Sequence, residues 1–409
     1  MDLQHRGTLP FHYGWVIVAT GMLAVFASLG LGRFTLGMLL PSMGASLGLS
    51  YAEMGFIGTG NFVGYLAAVI LSRFGVARFG SRRLVAAALV LVALSMLLVS
   101  RANGFLHVLL LYFLTGIGSG AANVPIMGLV AHWFTRGTRG KAAGFIVIGS
   151  GFAIMLSGVL IPFVNVHLGA EGWRASWLVL GVVVLMVALG CQALLREDPA
   201  EVGLTPVGAG REPPGGSNPL QERPARDVVA LLGVVYFLFG FTYVIYVTFI
   251  VTTLVQERGF SEAVAGNFWF WLGLLSLLSG PVFGTLSDWL GRRAGLMLVF
   301  SLQGLAHLLV AAPLPSGFLY LSMALFGVCA WSIPSIMAAA VGDYMGPRRA
   351  VAAFGSITFF FGVGQIAGPS LAGILAEHSG SFASSYLLAA ALAALAILLT
   401  ALLRRPPTR

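Results

Sequence analysis

The stretch WLGRR at residues 289–293 repeats the stretch RFGSRR at 78–83, and this pair decides how the chain is organised. The glycines of the two stretches lie 211 residues apart, and each stretch follows a long apolar segment. Gly144 and Gly355 have the same separation. Because the two halves of the chain repeat each other, we predict two similar structural units that share the apolar segments equally.

Composition indicates that these units lie in a membrane. Hydrophobic residues make up 58% of the 409 residues and charged residues only 9%, whereas a soluble domain has about 25% charged residues. A membrane-spanning helix needs about 20 apolar residues. Twelve segments meet this requirement, and they are predicted at residues 14–40, 53–74, 82–100, 104–133, 141–164, 173–195, 228–255, 263–287, 294–312, 316–342, 350–375 and 382–403.

A polar stretch rich in proline and glycine separates the sixth predicted span from the seventh. We therefore divide the chain into an N-terminal six-helix bundle (1–196), a cytoplasmic linker (197–227) and a C-terminal six-helix bundle (228–409). The first apolar segment is too long for the core of a signal peptide and reads as a span. The predicted fold class is an all-α integral membrane protein with twelve transmembrane helices in two pseudo-symmetric bundles.

The distribution of positive charge predicts the orientation. Of the 23 lysines and arginines, 19 fall on the side that holds both termini and the linker, and only Arg101, Arg174 and Arg258 fall on the other side. Cytoplasmic loops of membrane proteins carry such an excess. We predict a multi-pass protein of the bacterial inner membrane with both termini cytoplasmic. The same rule accounts for the net charge of +9 without a nucleic-acid partner.

Proline interrupts the predicted helices 4 and 10 at corresponding places, Pro125 and Pro334. Paired breaks in corresponding helices point to a binding site near the middle of the membrane, between the halves of a transporter. Two repeated six-helix halves fit a secondary transporter better than a channel or a membrane enzyme. The sequence predicts no enzymatic activity, no cofactor and no metal site.

A known signature supports this class. GTLSDWLGRR at 284–293 resembles the cytoplasmic signature of the major facilitator superfamily, whereas its copy at 76–83 has Ala77 at the usual aspartate position. The whole chain resembles the monocarboxylate-transporter and oxalate–formate branch of that superfamily. Four further stretches carry the resemblance: HYGWVIV at 12–18, GWRASWLVLG at 172–181, GLAHLLVAAPL at 304–314 and GDYMGPRRAVAAFG at 342–355.

Two positions depart from that branch. Ser276 and Gly280 stand where monocarboxylate carriers have an aspartate and an arginine in helix 8. The lysine expected in helix 11 of oxalate carriers is absent from residues 356–373. The resemblance therefore specifies the fold more closely than the transported compound.

Arg33 is the only charged residue in the apolar run from Trp15 to Leu40. The resemblance places it, eighteen residues beyond Trp15, where monocarboxylate carriers have a substrate-binding lysine. At 1.5 Å per residue it would lie about 27 Å along the helix, in the outer half of the span. Because a guanidinium matches the planar fork of a carboxylate, we predict that Arg33 binds an organic anion. The alternatives are that it extends to the membrane surface or bonds to carbonyl oxygens of a neighbouring helix.

Other candidate substrate-binding residues are polar or aromatic side chains inside predicted spans: Asn61, Tyr65, Asn123, Tyr243, His307, Trp331 and Gln365. Helices 1, 4, 7 and 10 line the cavity in the superfamily, which favours Asn123, Tyr243 and Trp331. Alternatively, each of these residues does not bind substrate but makes an interhelical hydrogen bond or packs against neighbouring side chains. His307 is the one histidine clear of the ends of a span, and imidazole titrates near neutral pH. It is therefore a candidate acceptor for a co-transported proton, with a structural polar contact as the alternative.

Four charged residues at cytoplasmic helix ends form a predicted cytoplasmic gate: Asp288, Arg292, Arg293 and Asp343. An aspartate there can stabilise the N-terminus of a neighbouring helix, and the arginines can pair with carboxylates. We predict that this gate closes when the substrate site faces the outside. The alternative, positive charge that only sets orientation, explains the arginines but not the spacing of Asp288 from Gly291.

These observations predict a secondary active or facilitative transporter of a small organic anion, a monocarboxylate, which works by alternating access with or without proton symport. Its predicted partners are the organic acid, a proton in the symport case and the lipid bilayer, and the predicted functional unit is a monomer. The alternatives are an exporter of a lipophilic or cationic compound and a non-transporting membrane sensor. Drug/proton antiporters typically use a buried carboxyl group, and no Asp or Glu falls in the middle of a predicted span.

Overall fold

The computed structural model describes residues 11–209 and 226–403. Within these ranges, twelve helices are long and apolar enough to cross a membrane. They are α1 (Gly14–Leu47), α2 (Tyr51–Phe79), α3 (Ser81–Val99), α4 (Phe105–Trp133), α5 (Gly137–Leu168), α6 (Gly172–Leu194), α7 (Asp227–Glu257), α8 (Glu262–Leu290), α9 (Arg292–Ala311), α10 (Gly317–Gly346), α11 (Ala352–Ser379) and α12 (Ala383–Ala401). The predicted all-α fold with twelve transmembrane helices is confirmed.

Helix α1 is longer than predicted. It continues through Pro41 to Leu47 and ends at Gly48, whose left-handed φ of 64° is typical of a helix C-cap. Proline is tolerated inside membrane helices because neighbouring groups bond to the freed backbone. The predicted end of the span at Leu40 was therefore wrong, and Arg33 lies nearer the middle of α1 than that boundary implied.

The middle of α1 is also wound differently from its ends. Residues Phe26–Phe34 form a π-helix between two α-helical segments, Gly14–Val25 and Thr35–Leu47. Such widened turns are rare and are frequently found at functional sites. Arg33 is the penultimate residue of this segment, so the irregular backbone determines where its side chain points.

Glycines allow helices within each half to pack closely. A Cβ atom added to Gly116 of α4 would overlap the carbonyl oxygen of Asn61 on α2, and one added to Gly364 of α11 would overlap that of Phe237 on α7. Small residues commonly permit this close approach between membrane helices. The N-terminal half (α1–α6) and the C-terminal half (α7–α12) are therefore each built around a helix pair in backbone contact.

The helix bundle has two ends. We call the end where α1 begins and α12 ends the terminal end, and the other end the opposite end. The two halves meet closely at the opposite end. At the opposite end, α1 packs on α7, α2 on α11 and α5 on α8. A glycine lies at each of these contacts. A Cβ atom added to it would crowd a carbonyl oxygen of the other half: Gly37 against Val247, Gly55 against Pro369 and Gly158 against Gly266.

Two carboxylates cross the same interface. Glu262, at the start of α8, accepts a hydrogen bond from the side-chain amide of Asn165 on α5 at 2.6 Å. Glu377 of α11 accepts one from the backbone N–H of Ala52 in the first turn of α2 at 3.2 Å. The free N–H groups of a helix N-terminus favour an anion. Polar contacts therefore supplement the glycine contacts that close the opposite end.

The halves separate towards the terminal end. Gly128 of α4, Gly342 of α10 and Gly355 of α11 have no neighbouring atom within 4 Å of an added Cβ position. Residues 30–41 of α1 and 238–254 of α7 are all buried, whereas both helices have exposed residues nearer the terminal end. The halves are therefore packed tightly from the middle of α1 and α7 towards the opposite end, and these three glycines make no such contact nearer the terminal end.

Part of the predicted linker packs on the N-terminal half. Glu197 accepts hydrogen bonds from the backbone N–H groups of Ser81 (3.0 Å) and Arg82 (2.7 Å) at the start of α3. Val207 pairs with the backbone beside Phe134 in a short parallel bridge. The predicted linker at 197–227 thus begins with an ordered segment. Its residues 210–225 lie outside the described residues, as do 1–10 and 404–409.

Candidate substrate site

Arg33 lies inside the bundle, with only 8% of its surface exposed. Its Nε donates a hydrogen bond to Oδ1 of Asn61 at 3.3 Å. Its guanidinium carbon lies 4.0 Å from the centre of the Tyr65 ring and 4.7 Å from that of Phe62. Contacts of a desolvated cation with aromatic faces stabilise it by about 2 kcal/mol. The side chain therefore points into the protein and does not extend to the membrane surface.

The guanidinium of Arg33 keeps one buried nitrogen unpaired. Its Nη2 is buried and has no hydrogen-bond partner in the described chain. The ion pairs among the described residues lie elsewhere: Arg174 with Glu171, and Arg292 with Asp288 and Asp343. A buried donor without a partner costs about 1–3 kcal/mol, and more when it is charged. An anionic ligand at Nη2 would remove this cost.

Helix α4 fixes the backbone that carries Arg33. The hydroxyl of Tyr112 donates to the main-chain oxygen of Arg33 at 2.7 Å, and the hydroxyl of Ser119 donates to that of Ser28, also at 2.7 Å. Both carbonyl groups belong to the π-helical segment of α1, where the usual helical hydrogen bonds are rearranged. Tyr112 therefore holds the backbone from which the Arg33 side chain extends, a role that the sequence did not reveal.

Replacing Tyr112 by phenylalanine should weaken anion binding at Arg33. The Tyr112→Phe change leaves the carbonyl oxygen of Arg33 without this partner, which we expect to lower the free energy of unfolding by about 1–3 kcal/mol and to raise the Kd for the anion. Thermal unfolding with and without a carboxylate measures both effects. Tyr386→Phe is the control, because that hydroxyl contacts Thr253 at 3.3 Å in the C-terminal half. It should reduce stability alone, and unchanged affinity in Tyr112→Phe would contradict the positioning role.

The remaining N-terminal candidates adjoin Arg33. Tyr65 covers the guanidinium with its ring and accepts a hydrogen bond at its hydroxyl from Nδ2 of Asn123 at 2.9 Å. Asn61 holds Nε of Arg33 and donates through Nδ2 to the carbonyl oxygen of Tyr112 at 3.1 Å. Helices α1, α2 and α4 thus bring together the four N-terminal residues that were predicted for the site.

Three predicted site residues of the C-terminal half, Tyr243, Trp331 and Gln365, contact one another and reach α1. Gln365 of α11 donates to the hydroxyl of Tyr243 on α7. The Tyr243 ring meets the ring of Trp331 edge-on, with centroids 5.6 Å apart. Trp331 in turn lies 5.0 Å from the ring of Phe34, the residue after Arg33. We call the connected set the Arg33 cluster: Arg33, Asn61, Tyr65, Asn123, Tyr243, Trp331 and Gln365.

Two more polar atoms of the Arg33 cluster are buried without a hydrogen bond to the described residues. They are Oδ1 of Asn123 and Nε1 of Trp331. Folded proteins pair most buried polar groups, so each exception requires an explanation. Together with Nη2 of Arg33, the cluster offers two unused donors and one unused acceptor. A ligand with polar groups at one edge would supply the missing partners.

His307 does not join the Arg33 cluster. Its ring lies within the C-terminal half, 5.6 Å from the ring of Tyr246 and 6.1 Å from that of Tyr386. Its Nδ1 lies 2.6 Å from the carbonyl oxygen of Gln303 and its Nε2 lies 3.2 Å from that of Thr242. The structure thus places His307 as a buried polar group between helices of one half, and its role in carrying a proton stays a prediction.

Three of the four predicted gate residues are in contact. Nε of Arg292 donates to Asp343 at 2.8 Å, and Nη1 of Arg292 pairs with Asp288. Arg293 lies outside the ion pairs of the described residues. The three contacting residues join α8, α9 and α10 at the terminal end, all within the C-terminal half. Their role as a gate between the halves stays a prediction.

Replacing Asp343 by asparagine tests that gate. We expect Asp343→Asn to slow transport about two- to fivefold and to leave substrate affinity unchanged, because a partly exposed ion pair contributes up to about 1 kcal/mol. Initial uptake rates and equilibrium binding measure the two quantities separately. Glu171→Gln is the control, because it removes an exposed ion pair with Arg174 within the N-terminal half. It should change neither the transport rate nor the substrate affinity. A loss of affinity as large as the loss of rate would argue against a gate.

Two six-helix halves that close at one end and contribute jointly to a central polar and aromatic cluster define a membrane transporter. The family described as "Uncharacterised MFS-type transporter YbfB" matches residues 25–401. The chain therefore belongs to this family of the major facilitator superfamily, as the signature at 284–293 predicted.

Comparisons with individual proteins agree with this assignment. The hexuronate transporter of Bacillus subtilis (strain 168) is 25% identical over 403 residues, which cover 92% of this chain and 91% of that protein. Monocarboxylate transporter 11 of Mus musculus is 27% identical over 394 residues, covering 92% and 84%. A solved bacterial homologue of the human lysosomal transporter Spinster, in an inward-facing and occupied conformation, matches with a TM-score of 0.74 at 15% identity over 97% of both chains. That likeness shows the fold alone.

Proposed function

We propose that this protein transports a small organic anion, a monocarboxylate, by alternating access across the inner membrane of a bacterium, with both termini in the cytoplasm. The observation that carries the proposal is the buried guanidinium of Arg33, which has an unpaired nitrogen and is followed on α1 by Phe34, a residue in contact with Trp331 of the other half. The names of two relatives, a hexuronate transporter and a monocarboxylate transporter, fit an anionic substrate. The excess of positive charge at the terminal end supports the orientation.

The charge of the site supports one carboxylate on the substrate. The Arg33 cluster contains a single charged side chain, so one carboxylate neutralises it. A second carboxylate would lose its hydration without gaining an opposite charge, which costs several kcal/mol for a buried ion. A cationic substrate would be repelled by Arg33. The geometry therefore favours a monoanion over a dianion, and it disfavours the alternative of a cation exporter.

Binding of a carboxylate at Arg33 would affect both halves. Phe34 follows Arg33 on α1 and contacts Trp331 of α10 across the interface. A carboxylate that accepts from Nη2 of Arg33 and from Nε1 of Trp331 would connect the N-terminal half with the C-terminal half. A ligand shifts a conformational equilibrium only through different affinities for the two states. Such a bridge provides that difference, because it can form only when the two side chains are near each other.

The symport version of the proposal assigns the proton to His307. In that version, uptake of the anion should acidify the lumen of liposomes that contain the protein, because the proton moves with the substrate. His307→Gln should abolish acidification and leave anion binding at Arg33 intact. A pH-sensitive dye inside the liposomes measures the proton, and a labelled acid measures the substrate. A constant internal pH during uptake would contradict proton symport.

Reconstitution of the purified protein in liposomes tests the proposal itself. We expect labelled small monocarboxylates to enter the liposomes and unlabelled monocarboxylates to compete, whereas amines should not. Transport of amines without transport of acids would support the drug-exporter alternative. Binding of ligands without movement of any labelled compound would support the sensor alternative.

A further inference from the structure

Aromatic rings from both halves form a chain of contacts that starts beside Arg33. We call this set the aromatic wall, and it consists of Phe34, Tyr65, Tyr236, Tyr243, Trp331 and Phe361. Tyr65, Trp331 and Phe361 are only half-buried, so parts of their rings remain uncovered. An aromatic wall beside a single cation suggests a ligand with an apolar, ring-shaped body.

The C-terminal part of the wall is a stack of nearly parallel rings. The rings of Tyr236 and Phe361 have centroids 4.5 Å apart at an angle of 14°, and those of Tyr243 and Phe361 lie 5.9 Å apart at 12°. Trp331 stands across this stack, at 76° to the ring of Tyr243. Because Tyr236 and Tyr243 are themselves buried, the rings of the wall that a ligand can reach are those of Phe361, Trp331 and Tyr65. Aromatic pairs prefer offset-stacked or edge-on contacts, and partly exposed rings allow both.

The N-terminal part of the wall connects the stack to the charge. Phe34 packs on Trp331 with centroids 5.0 Å apart, and Tyr65 lies against the guanidinium of Arg33. The unpaired Nη2 of Arg33 and the unpaired Nε1 of Trp331 are both donors. Since a carboxylate has two acceptor oxygens, one group on the ligand would satisfy both donors while the rest of the ligand packs against the rings.

We propose that the substrate is an aromatic monocarboxylate, whose carboxylate binds Arg33 and Trp331 and whose ring packs on the aromatic wall. This inference rests on the proposed transport of an organic anion. A flat ring gains from stacked and edge-on contacts beyond the burial of its area. A saturated ring of similar size gains the burial alone. The site therefore discriminates by ring planarity as well as by charge.

Matched pairs of acids test the inference on the purified full-length protein. Benzoate is compared with cyclohexanecarboxylate, and phenylacetate with cyclohexylacetate, by isothermal titration. We expect the aromatic member of each pair to bind about three- to tenfold more tightly, the range given by one aromatic contact. Equal or tighter binding of the saturated acids would overturn the aromatic assignment. If, in that case, the acids bind the wild-type protein but not Arg33→Ala, the proposed function still stands.

Variants of the aromatic wall test whether its rings cause the tighter binding of aromatic acids. Trp331→Leu and Phe361→Leu should each reduce the preference for aromatic acids, whereas Trp331→Phe should keep a preference and weaken every acid equally, because it retains a ring and loses Nε1. The control is Trp271→Leu, which changes an exposed tryptophan of α8 and should alter nothing. A preference that persists in both leucine variants would overturn the assignment to this wall. If no carboxylate of either kind binds the wild-type protein, the proposed function fails, and this inference fails with it.

Discussion

Replacing Arg33 by alanine is expected to abolish transport of organic acids while the protein still folds and inserts into the membrane. In the unliganded protein the guanidinium has an unpaired nitrogen and no carboxylate partner in the described chain. Its removal therefore breaks no ion pair. With the anion bound, the same removal leaves a buried carboxylate unneutralised, a loss of about 2–5 kcal/mol. The Kd should rise at least about 30-fold.

Two measurements separate binding from folding in this variant. Loss of the contacts with Asn61, Phe62 and Tyr65 should lower Tm without ligand, although removal of the unpaired buried charge offsets part of that loss. The increase in Tm caused by a bound acid should disappear, because ligands stabilise by mass action. Arg33→Lys keeps the charge without the planar fork and should give an intermediate affinity. Arg258→Ala is the control, since Arg258 donates to the carbonyl oxygens of Val310 and Ala312 at the opposite end. Normal uptake by Arg33→Ala would refute the assignment of the substrate site.

Replacing Gly55 by valine is expected to hold the opposite end open and stop transport. A Cβ atom at Gly55 would overlap the carbonyl oxygen of Pro369 and lie 3.3 Å from Cα of Gly373. Both neighbours are backbone atoms of α11, which cannot move aside as a flexible side chain does. Overpacking costs about 1–3 kcal/mol. Since the cost exists only while the halves touch, the equilibrium should shift about 5- to 150-fold towards the state that opens at this end.

Accessibility to a membrane-impermeant thiol reagent measures this shift. Thr248 lies in the interface at the opposite end and is 7% exposed, so Thr248→Cys should react slowly in the wild-type background and quickly together with Gly55→Val. Gly190→Val is the matched control, because an added Cβ on Gly190 of α6 meets no atom within 4 Å. Equal reactivity in both backgrounds would show that the contact of Gly55 with α11 does not hold this end closed.

Much of the fold followed from composition and spacing, and the exceptions have physical causes. Long apolar segments predict spans because lipid demands them. The end of α1 was misplaced because Pro41 reads as a break, although membrane helices accommodate proline. Nothing in residues 26–34 distinguishes a π-helix from an α-helix, and the hydrogen bonds that Tyr112 and Ser119 of another helix donate to this segment are not visible in the sequence.

The candidate site was partly predictable because polar groups in a membrane span rarely face lipid. This reasoning selected Arg33, Asn61 and Gln365, which the structure brings into one cluster. It also selected His307, whose ring instead contacts backbone carbonyls of its own half. Phe34 and Phe62 were missed, because a phenylalanine in an apolar span looks the same whether it faces lipid, the core or a cation.

The glycine contacts at the opposite end keep the free-energy difference between the open and closed arrangements of the transporter small. Where main chain rests on main chain, closing the interface immobilises few side chains, so little rotamer entropy opposes it. Opening also breaks the polar contacts of Glu262 and Glu377, but both carboxylates lie near helix ends, where water can replace the lost partners. The open and closed arrangements can therefore differ little in free energy, and the modest binding energy of one small molecule is then sufficient to tip the balance between them.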